Sequence, residues 1–160
     1  MIAPLSSIDP LTDGKYHLVS RLSEGETTSF LGVVDGKVAI TADTSTVWHF
    51  AYQSDRGSYR IWHDGTNNVL DSTQTPYNYA AVCQCHDANW QQWAARLQID
   101  GTRPRDDHRR LAGFTLAPLN FPRNVLSVAG SGNGSLVNVL PAIAHGEEIH
   151  PTQLWFALPV

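Results

Sequence analysis

The feature that most constrains the fold is a pattern that occurs three times along the chain. Each copy begins with a glycine that is followed within two residues by an aromatic side chain, continues with a short apolar segment, and reaches a tryptophan near its end. The opening glycines are Gly14, Gly57 and Gly113, and the tryptophans are Trp48, Trp93 and Trp155. Recurrence of one unit at a period of about 45 residues is typical of repeat architectures.

Within each copy, apolar residues alternate with polar ones and do not recur with a helical period, which predicts β-strands. Pairs such as Asp35-Gly36 and Asn133-Gly134 predict turns between them. Each copy offers about four short strands. The side chains predicted to share one side of the last strand are, copy by copy, Trp48, Phe50 and Tyr52; Trp93, Ala95, Leu97 and Ile99; and Leu154, Phe156 and Leu158.

We therefore expect residues 1–160 to form a single all-β domain. Its copies run near residues 14–56, 57–101 and 113–160, and residues 102–112 are interpreted as an insertion. Three copies of four strands close best as a barrel capped by hairpins, because closure removes exposed sheet edges. A propeller of the same repeat length would need at least ~4 blades.

Composition excludes several classes of function. The net charge of −4 argues against nucleic acid as the main partner, and the basic cluster at residues 103–110 contains two aspartates, which favours a solvated loop. We predict no membrane span, because no apolar stretch approaches the ~18 residues that a membrane helix needs. No signal segment is recognised, so the expected location is cytoplasmic, with export by a non-classical route left open.

Two of the tryptophans lie in triplets with a known counterpart. Gln91-Gln92-Trp93 and Gln153-Leu154-Trp155 resemble the Gln-x-Trp signature of ricin-B-like β-trefoil lectins, and the first copy departs from it with Thr46-Val47-Trp48. The resemblance covers residues 14 to 160. It implies a β-trefoil of three pseudo-symmetric four-stranded repeats, core positions for the three tryptophans, and a carbohydrate-binding module without catalytic activity.

The second copy matches the family pattern for a sugar site best. The pattern places an aspartate after the apolar pair of the second strand, where Asp71 follows Val69-Leu70. A sugar needs such a carboxylate for its hydroxyls, a flat aromatic for its C–H face and an amide nearby. With galactose-type sugars as the expected ligands, the candidates are Asp71 as the carboxylate, Tyr77 or Tyr79 (or His86 or Trp90) as the platform, and Asn89 and Gln91 as the amides.

The other two copies depart from the pattern. Gly32 stands at the aspartate position in the first copy, with Asp35 and Asp43 only nearby, and Ser127 stands there in the third. The third copy retains only amides as polar candidates, namely Asn120, Asn124 and Asn138. Two of the three family sites are therefore predicted to be lost. The alternative is that Asp71 caps a turn and that the tyrosines shield the barrel wall.

Enzymatic and metal chemistry are not expected. The chain has no nucleophile elbow and no phosphate-binding glycine loop. Cys83, Cys85 and His86 are not predicted to bind zinc, because strand alternation puts His86 on the face opposite Cys85, and the two thiols are expected to be buried. The cluster His145, Glu147, Glu148 and His150 is interpreted as a solvated hairpin tip. No cofactor and no metal are predicted.

Two further expectations concern partners. β-Trefoils resembling this chain also occur as the lectin-like light subunit that accompanies mushroom tyrosinase and as fungal protease inhibitors, so a protein-interaction module with degenerate sugar sites is the alternative function. Single trefoil sites bind sugars weakly, and with one credible site a homo-oligomer would have to supply the multiplicity.

Overall fold

The computed structural model describes residues 11–22, 28–74, 78–99, 111–130, 132–145 and 148–160. These residues form fourteen β-strands and two 3₁₀ turns, at Asn89–Gln91 and Pro151–Gln153, and contain no α-helix. The predicted all-β class is confirmed. No helix in the described ranges is long and apolar enough to cross a membrane.

The strands fall into three segments of the chain, residues 14–53, 58–99 and 111–159. The first two segments hold four strands each, and the third holds six, because a hairpin of two two-residue strands precedes its last strand. In chain order the strands are β1 (Gly14–Ser20), β2 (Phe30–Val34), β3 (Lys37–Thr41), β4 (Trp48–Gln53), β5 (Ser58–His63), β6 (Asn68–Asp71), β7 (Ala81–Gln84), β8 (Trp93–Ile99), β9 (Leu111–Pro118), β10 (Asn124–Val128), β11 (Val137–Pro141), β12 (Ala144–His145), β13 (Glu148–Ile149) and β14 (Trp155–Pro159).

Six of these strands close a barrel. The antiparallel pairs β1–β4, β4–β5, β5–β8, β8–β9, β9–β14 and β14–β1 form a continuous ring. The hairpins β2–β3, β6–β7 and β10–β11 meet one another through the pair Lys37–Ala81 and the bridges Ala39–Leu136 and Tyr79–Asn138. The barrel therefore has no free edge, and the hairpins form a cap.

The three repeated tryptophans tie the barrel to the cap. Each is fully buried, opens the last strand of its segment, and donates its indole N–H to a carbonyl of the second strand. A buried indole normally finds such an acceptor. The bonds run from Trp48 to Leu31 O at 2.9 Å, from Trp93 to Leu70 O at 3.0 Å and from Trp155 to Leu126 O at 3.1 Å.

The alternation predicted for the last strand was wrong by one position. Trp155 is fully buried and Ala157 packs against the core, whereas Leu158 is 48% exposed. Trp155 pairs with Phe114, whose side chain is also in the core, and this register sets the inward face. Because side chains alternate with a period of two, a shift of one residue exchanges the two faces of the strand.

The insertion also differs from its predicted bounds. β9 begins at Leu111, so residues 111–112 belong to the barrel and not to the insertion. The basic cluster at residues 103–110 lies outside the described residues.

Candidate functional site

Asp71 ends β6 and lies opposite Ala81 of β7. The residue is 4% exposed. Its Oδ1 accepts a hydrogen bond from the backbone N–H of Thr73 at 2.6 Å, and its Oδ2 accepts one from Gln91 Nε2 at 2.9 Å. An ionised carboxylate has about four acceptor positions, so these two bonds leave capacity for further donors.

Gln91 holds the loop between β7 and β8 in place. Its fully buried side chain donates from Nε2 to Asp71 and to Gln84 O at 2.9 Å, and its Oε1 accepts from His86 N at 2.6 Å. We call this set of three bonds the glutamine clamp. Because both amide hydrogens and the amide oxygen are engaged within the protein, Gln91 orients Asp71 and the loop, and its amide faces inward.

The two residues after Asp71 are held by the third segment of the chain. Asn120 Nδ2 donates to Thr73 O at 3.1 Å, and Ser72 Oγ lies 3.0 Å from Asn120 Oδ1. Thr73 has a φ of 63°, which a β-branched residue rarely adopts. Backbone strain of this kind persists where surrounding contacts impose it, and it concentrates at functional sites. Asn120 belongs to the third copy in the sequence, which gives no local signal of its contact with Ser72 and Thr73.

The other predicted site residues lie in the chain segments before β7 and between β7 and β8. His86 and Asn89 are exposed on the β7–β8 loop, and the backbone N–H of His86 belongs to the glutamine clamp. Tyr79 is 50% exposed and bridges to Asn138 of the β10–β11 hairpin. Trp90 is half-buried, and its carbonyl accepts from Ser72 N at 2.8 Å.

Tyr77 lies outside the described residues. The structure therefore joins Asp71 to Gln91 by a direct bond and places His86 and Asn89 on the loop that the glutamine clamp fixes.

The third segment has the same clamp without the carboxylate. Gln153 Nε2 donates to Ser127 Oγ at 3.1 Å and to Pro141 O at 2.9 Å, and its Oε1 accepts from Ile143 N at 2.7 Å. Ser127 occupies the position that Asp71 has in the second segment, directly after the leucine whose carbonyl receives the indole bond. A neutral hydroxyl thus accepts the glutamine hydrogen bond that a carboxylate accepts in the second segment.

The first segment has neither the glutamine nor the acid. Thr46 Oγ1 accepts from Val33 N at 3.1 Å, and a Cβ on Gly32 would lie 2.5 Å from Thr41 Cγ2 and 3.3 Å from Thr46 Oγ1. There is no room for a larger side chain at position 32 unless Thr41 moves.

The acids near the first segment's loops serve other purposes. Asp43 Oδ1 accepts from the Ser45 hydroxyl at 2.6 Å and from Ser45 N at 3.1 Å, and these bonds hold the pKa of the Asp43 carboxyl below its ordinary value. Asp35 lies in the β2–β3 turn with a φ of 51°. Neither acid takes the place of the carboxylate that Asp71 supplies in the second segment.

Cys83 lies close to Asp71, which sequence analysis did not foresee. Val69 pairs with Cys83 and Asp71 pairs with Ala81, so Asp71 and Cys83 are diagonal neighbours on the β6–β7 hairpin. Burial raises the pKa of the Cys83 thiol, and the charge of Asp71 and a hydrogen bond to it raise that pKa further. The hairpin register was the signal that could have revealed the pair. The expectation that both thiols are buried was wrong, because Cys83 and Cys85 are each only half-buried.

The structure also places one member of the predicted histidine–glutamate cluster. His150 caps the second 3₁₀ turn. Its Nδ1 accepts a hydrogen bond from Thr152 N at 3.3 Å and lies 2.8 Å from Thr152 Oγ1. The side chains of His145, Glu147 and Glu148 lie outside the described part of the chain. Within that part, no three His, Cys, Asp or Glu residues are grouped so that they could hold a metal ion.

The chain is similar in structure to a designed 3-fold symmetric protein, ThreeFoil, with a TM-score of 0.68 and 19% identity over 92% of this chain and 100% of that one. The fold is a β-trefoil. The trefoil is also similar to the earthworm R-type lectin C-half in complex with GalNAc, with a TM-score of 0.57 and 12% identity over 90% of this chain and 97% of the lectin.

A proteinase inhibitor from Coprinopsis cinerea matches the trefoil with a TM-score of 0.66 and 12% identity over 94% of this chain and 99% of the inhibitor. Two other matched structures are much longer, and the trefoil spans 18% and 26% of them. No protein-family model and no curated protein matches the sequence.

Proposed function

We propose that the protein is a carbohydrate-binding, lectin-like module without catalytic activity, and that its sugar site is centred on Asp71. In this proposal the three segments are pseudo-symmetric four-stranded repeats. Only the second keeps a carboxylate directly after the residue whose carbonyl accepts the indole hydrogen bond. The observation that carries the proposal is that the glutamine clamp does not require a charge there. Ser127 satisfies the same clamp with a hydroxyl, so the charge of Asp71 is available for another purpose.

The chemistry around Asp71 suits a sugar. A carboxylate with unused acceptor positions takes hydrogen bonds from sugar hydroxyls, and bonds to a charged acceptor are stronger than neutral ones. His86 and Asn89 are exposed on the adjoining loop, and Tyr79 offers an exposed aromatic ring. The structural likeness to a lectin bound to GalNAc supports galactose-type sugars as the ligand class.

A titration with galactose and N-acetylgalactosamine, with glucose as the comparison sugar, tests the proposal. Asp71→Ser is the decisive variant, because Ser127 shows that the clamp accommodates serine. Loss of charge-assisted bonds is expected to weaken binding about tenfold or more. Ser127→Ala is the matched control and should bind as the parent does. Equal affinity of the parent and Asp71→Ser would remove Asp71 as the sugar site.

One site per chain implies weak binding, so we propose that function depends on several copies acting together. Light scattering of the purified protein, with and without a multivalent galactoside, tests this. A homo-oligomer that binds the multivalent ligand far more tightly than the monovalent sugar is the expected result. A monomer with no such gain would count against it.

A second candidate function is a protein-interaction trefoil, such as an accessory subunit of a tyrosinase-like enzyme or a protease inhibitor. The observation that favours it is the enclosure of Asp71 at 4% exposure, together with exposed apolar side chains at Val34, Tyr79 and Ile143. The likeness to the Coprinopsis inhibitor supports it as well. Capture of a stoichiometric enzyme partner from native extract, with no retention on galactose or lactose resin, would decide for this function.

A further inference from the structure

A groove of about 390 Å³ lies on the outer face of the barrel, away from Asp71. Its floor is formed by β8 and β9, where Arg96 pairs with Thr115. The β9–β10 turn, with Pro122 and Arg123, forms one wall, and Ile149 of β13 contributes from another side. A volume of this size falls within the range of ~300–1,000 Å³ that is usual for small-ligand pockets.

Two arginine side chains give the groove a positive charge. Arg96 and Arg123 both line it, both are exposed, and neither forms an ion pair with a carboxylate of the described residues. No acidic residue of the described chain lines the groove. The protein as a whole carries a net charge of −4, so this local excess of two guanidinium groups stands out against an acidic background.

The rest of the lining is suited to a small polar ring. Gln98 and Thr115 supply an amide and a hydroxyl beside the guanidinium groups, and Pro122 and Val125 supply apolar surface. Guanidinium groups bind carboxylates through paired hydrogen bonds, and an apolar wall packs against C–H groups. The overall negative charge and the limited volume disfavour a polyanion such as nucleic acid.

We propose that this groove binds a hexose-sized organic anion, with a sugar carboxylate such as a hexuronate as the ligand class. The carboxylate is bound by Arg96 and Arg123, and the ring lies against Pro122 and Val125. The site is independent of the one at Asp71. The two are separated by the β9–β10 turn, in which Asn120 contacts Ser72 and Thr73 while Pro122 and Arg123 line the groove.

Titration of the ¹⁵N-labelled protein with glucuronate and galacturonate, followed by amide chemical shifts, tests the proposal. Shifts at residues 96–98, 115–117 and 123–125 are expected with the uronates and absent with glucose, galactose and acetate. N-Acetylglucosamine 6-sulfate distinguishes a preference for carboxylates from binding of any sugar-borne oxyanion. Saturation by the sulfate ester with equal affinity would overturn the carboxylate assignment.

The double variant Arg96→Gln/Arg123→Gln is expected to weaken uronate binding about tenfold or more, because it removes charge-assisted hydrogen bonds. Arg21→Gln is the matched control, since Arg21 lies over the Phe156 ring and does not line the groove. Asp71→Ser should bind uronate like the parent, which separates failure of this site from failure of the site at Asp71. No uronate-induced shift in the groove, or full affinity in the double variant, would overturn the inference.

Discussion

The side-chain amide of Gln91 donates to the carboxylate of Asp71 across 2.9 Å, and both residues are buried. The bond connects the end of β6 to the 3₁₀ turn that precedes β8. The same amide also binds the backbone at Gln84 and His86. One side chain therefore fixes both the candidate sugar-binding carboxylate and the loop beside it.

Replacement of Gln91 by leucine is expected to destabilise the fold by about 2–4 kcal/mol, because it leaves buried polar groups without partners. The groups affected are Asp71 Oδ2, the Gln84 carbonyl and the His86 N–H. Urea unfolding measures the effect. Asn89→Ala, an exposed position in the same 3₁₀ turn, should change the free energy of unfolding by no more than about 0.5 kcal/mol. Similar free energies of unfolding for the two variants would show that the three hydrogen bonds of Gln91 do not stabilise the fold.

The Cys83 thiol reports on the Asp71 charge. The pKa of Cys83 is raised above its ordinary value of 9.0, first by burial and then by Asp71. In a Cys85→Ser background, alkylation of Cys83 by iodoacetamide should therefore reach half-maximal rate above pH 9.0. Asp71→Ser should move this midpoint towards the ordinary value without reaching it, because burial remains. An unchanged midpoint would show that the carboxylate does not act on the thiol.

The raised pKa of Cys83 also predicts how stability depends on pH. Folded Cys83 keeps its proton to a higher pH than Cys83 in the unfolded chain, so its contribution to stability is present below about pH 9 and is lost as the pH rises through the folded pKa. In the Cys85→Ser background, Cys83→Ser should not show this loss of unfolding free energy at high pH. An equal loss with and without Cys83 would show that other groups cause it.

The parts of the fold that local pattern controls were predictable. The tryptophan that opens β4, β8 and β14 marks a strand start in each segment, because a buried aromatic at the head of an alternating run is a local signal. The position of Asp71 after the leucine of β6 was also read from the pattern. Register in β14 was not predictable from alternation, since Phe156 and Leu158 are as apolar as the residues that face the core.

Contacts between segments account for what sequence analysis missed. Asn120 lies 48 residues from Ser72 and belongs to another segment, yet it holds the loop after Asp71. The groove near Arg96 likewise combines β8, β9, the β9–β10 turn and β13. No local periodicity encodes such contacts, because they arise only when the barrel closes.

The first segment offers a test of why its site is absent. A methyl group at Gly32 would meet Thr41 Cγ2 at 2.5 Å. Gly32→Ala is therefore expected to cost about 1–3 kcal/mol through overpacking. Thr41→Ser removes the obstructing methyl group, and in the double variant it should recover most of that loss, with a coupling energy of about 1 kcal/mol or more. Additive effects of the two substitutions would show that the Thr41 methyl group is not what opposes a side chain at position 32.

Gly113 lies in β9, where this strand pairs with β8 and comes close to β14. Its φ is 124°, a conformation that favours glycine, and a Cβ added there would lie 2.8 Å from the carbonyl oxygen of Trp155. This obstacle is a backbone atom of β14, next to the Trp155–Phe114 pair, so no side-chain rotation can relieve it. We expect Gly113→Ala to destabilise the fold by about 3 kcal/mol or more, because strain and a steric clash add.

Gly132→Ala is the matched control for Gly113→Ala. Gly132 has no left-handed φ, and nothing lies within 4 Å of a Cβ built on it. Its substitution should leave the midpoint of thermal unfolding unchanged, whereas Gly113→Ala should lower it by several degrees and perturb the near-ultraviolet signal of the buried Trp155. If Gly113→Ala unfolds at the same temperature as Gly132→Ala, the close approach of β9 and β14 at Gly113 does not limit which side chain fits there.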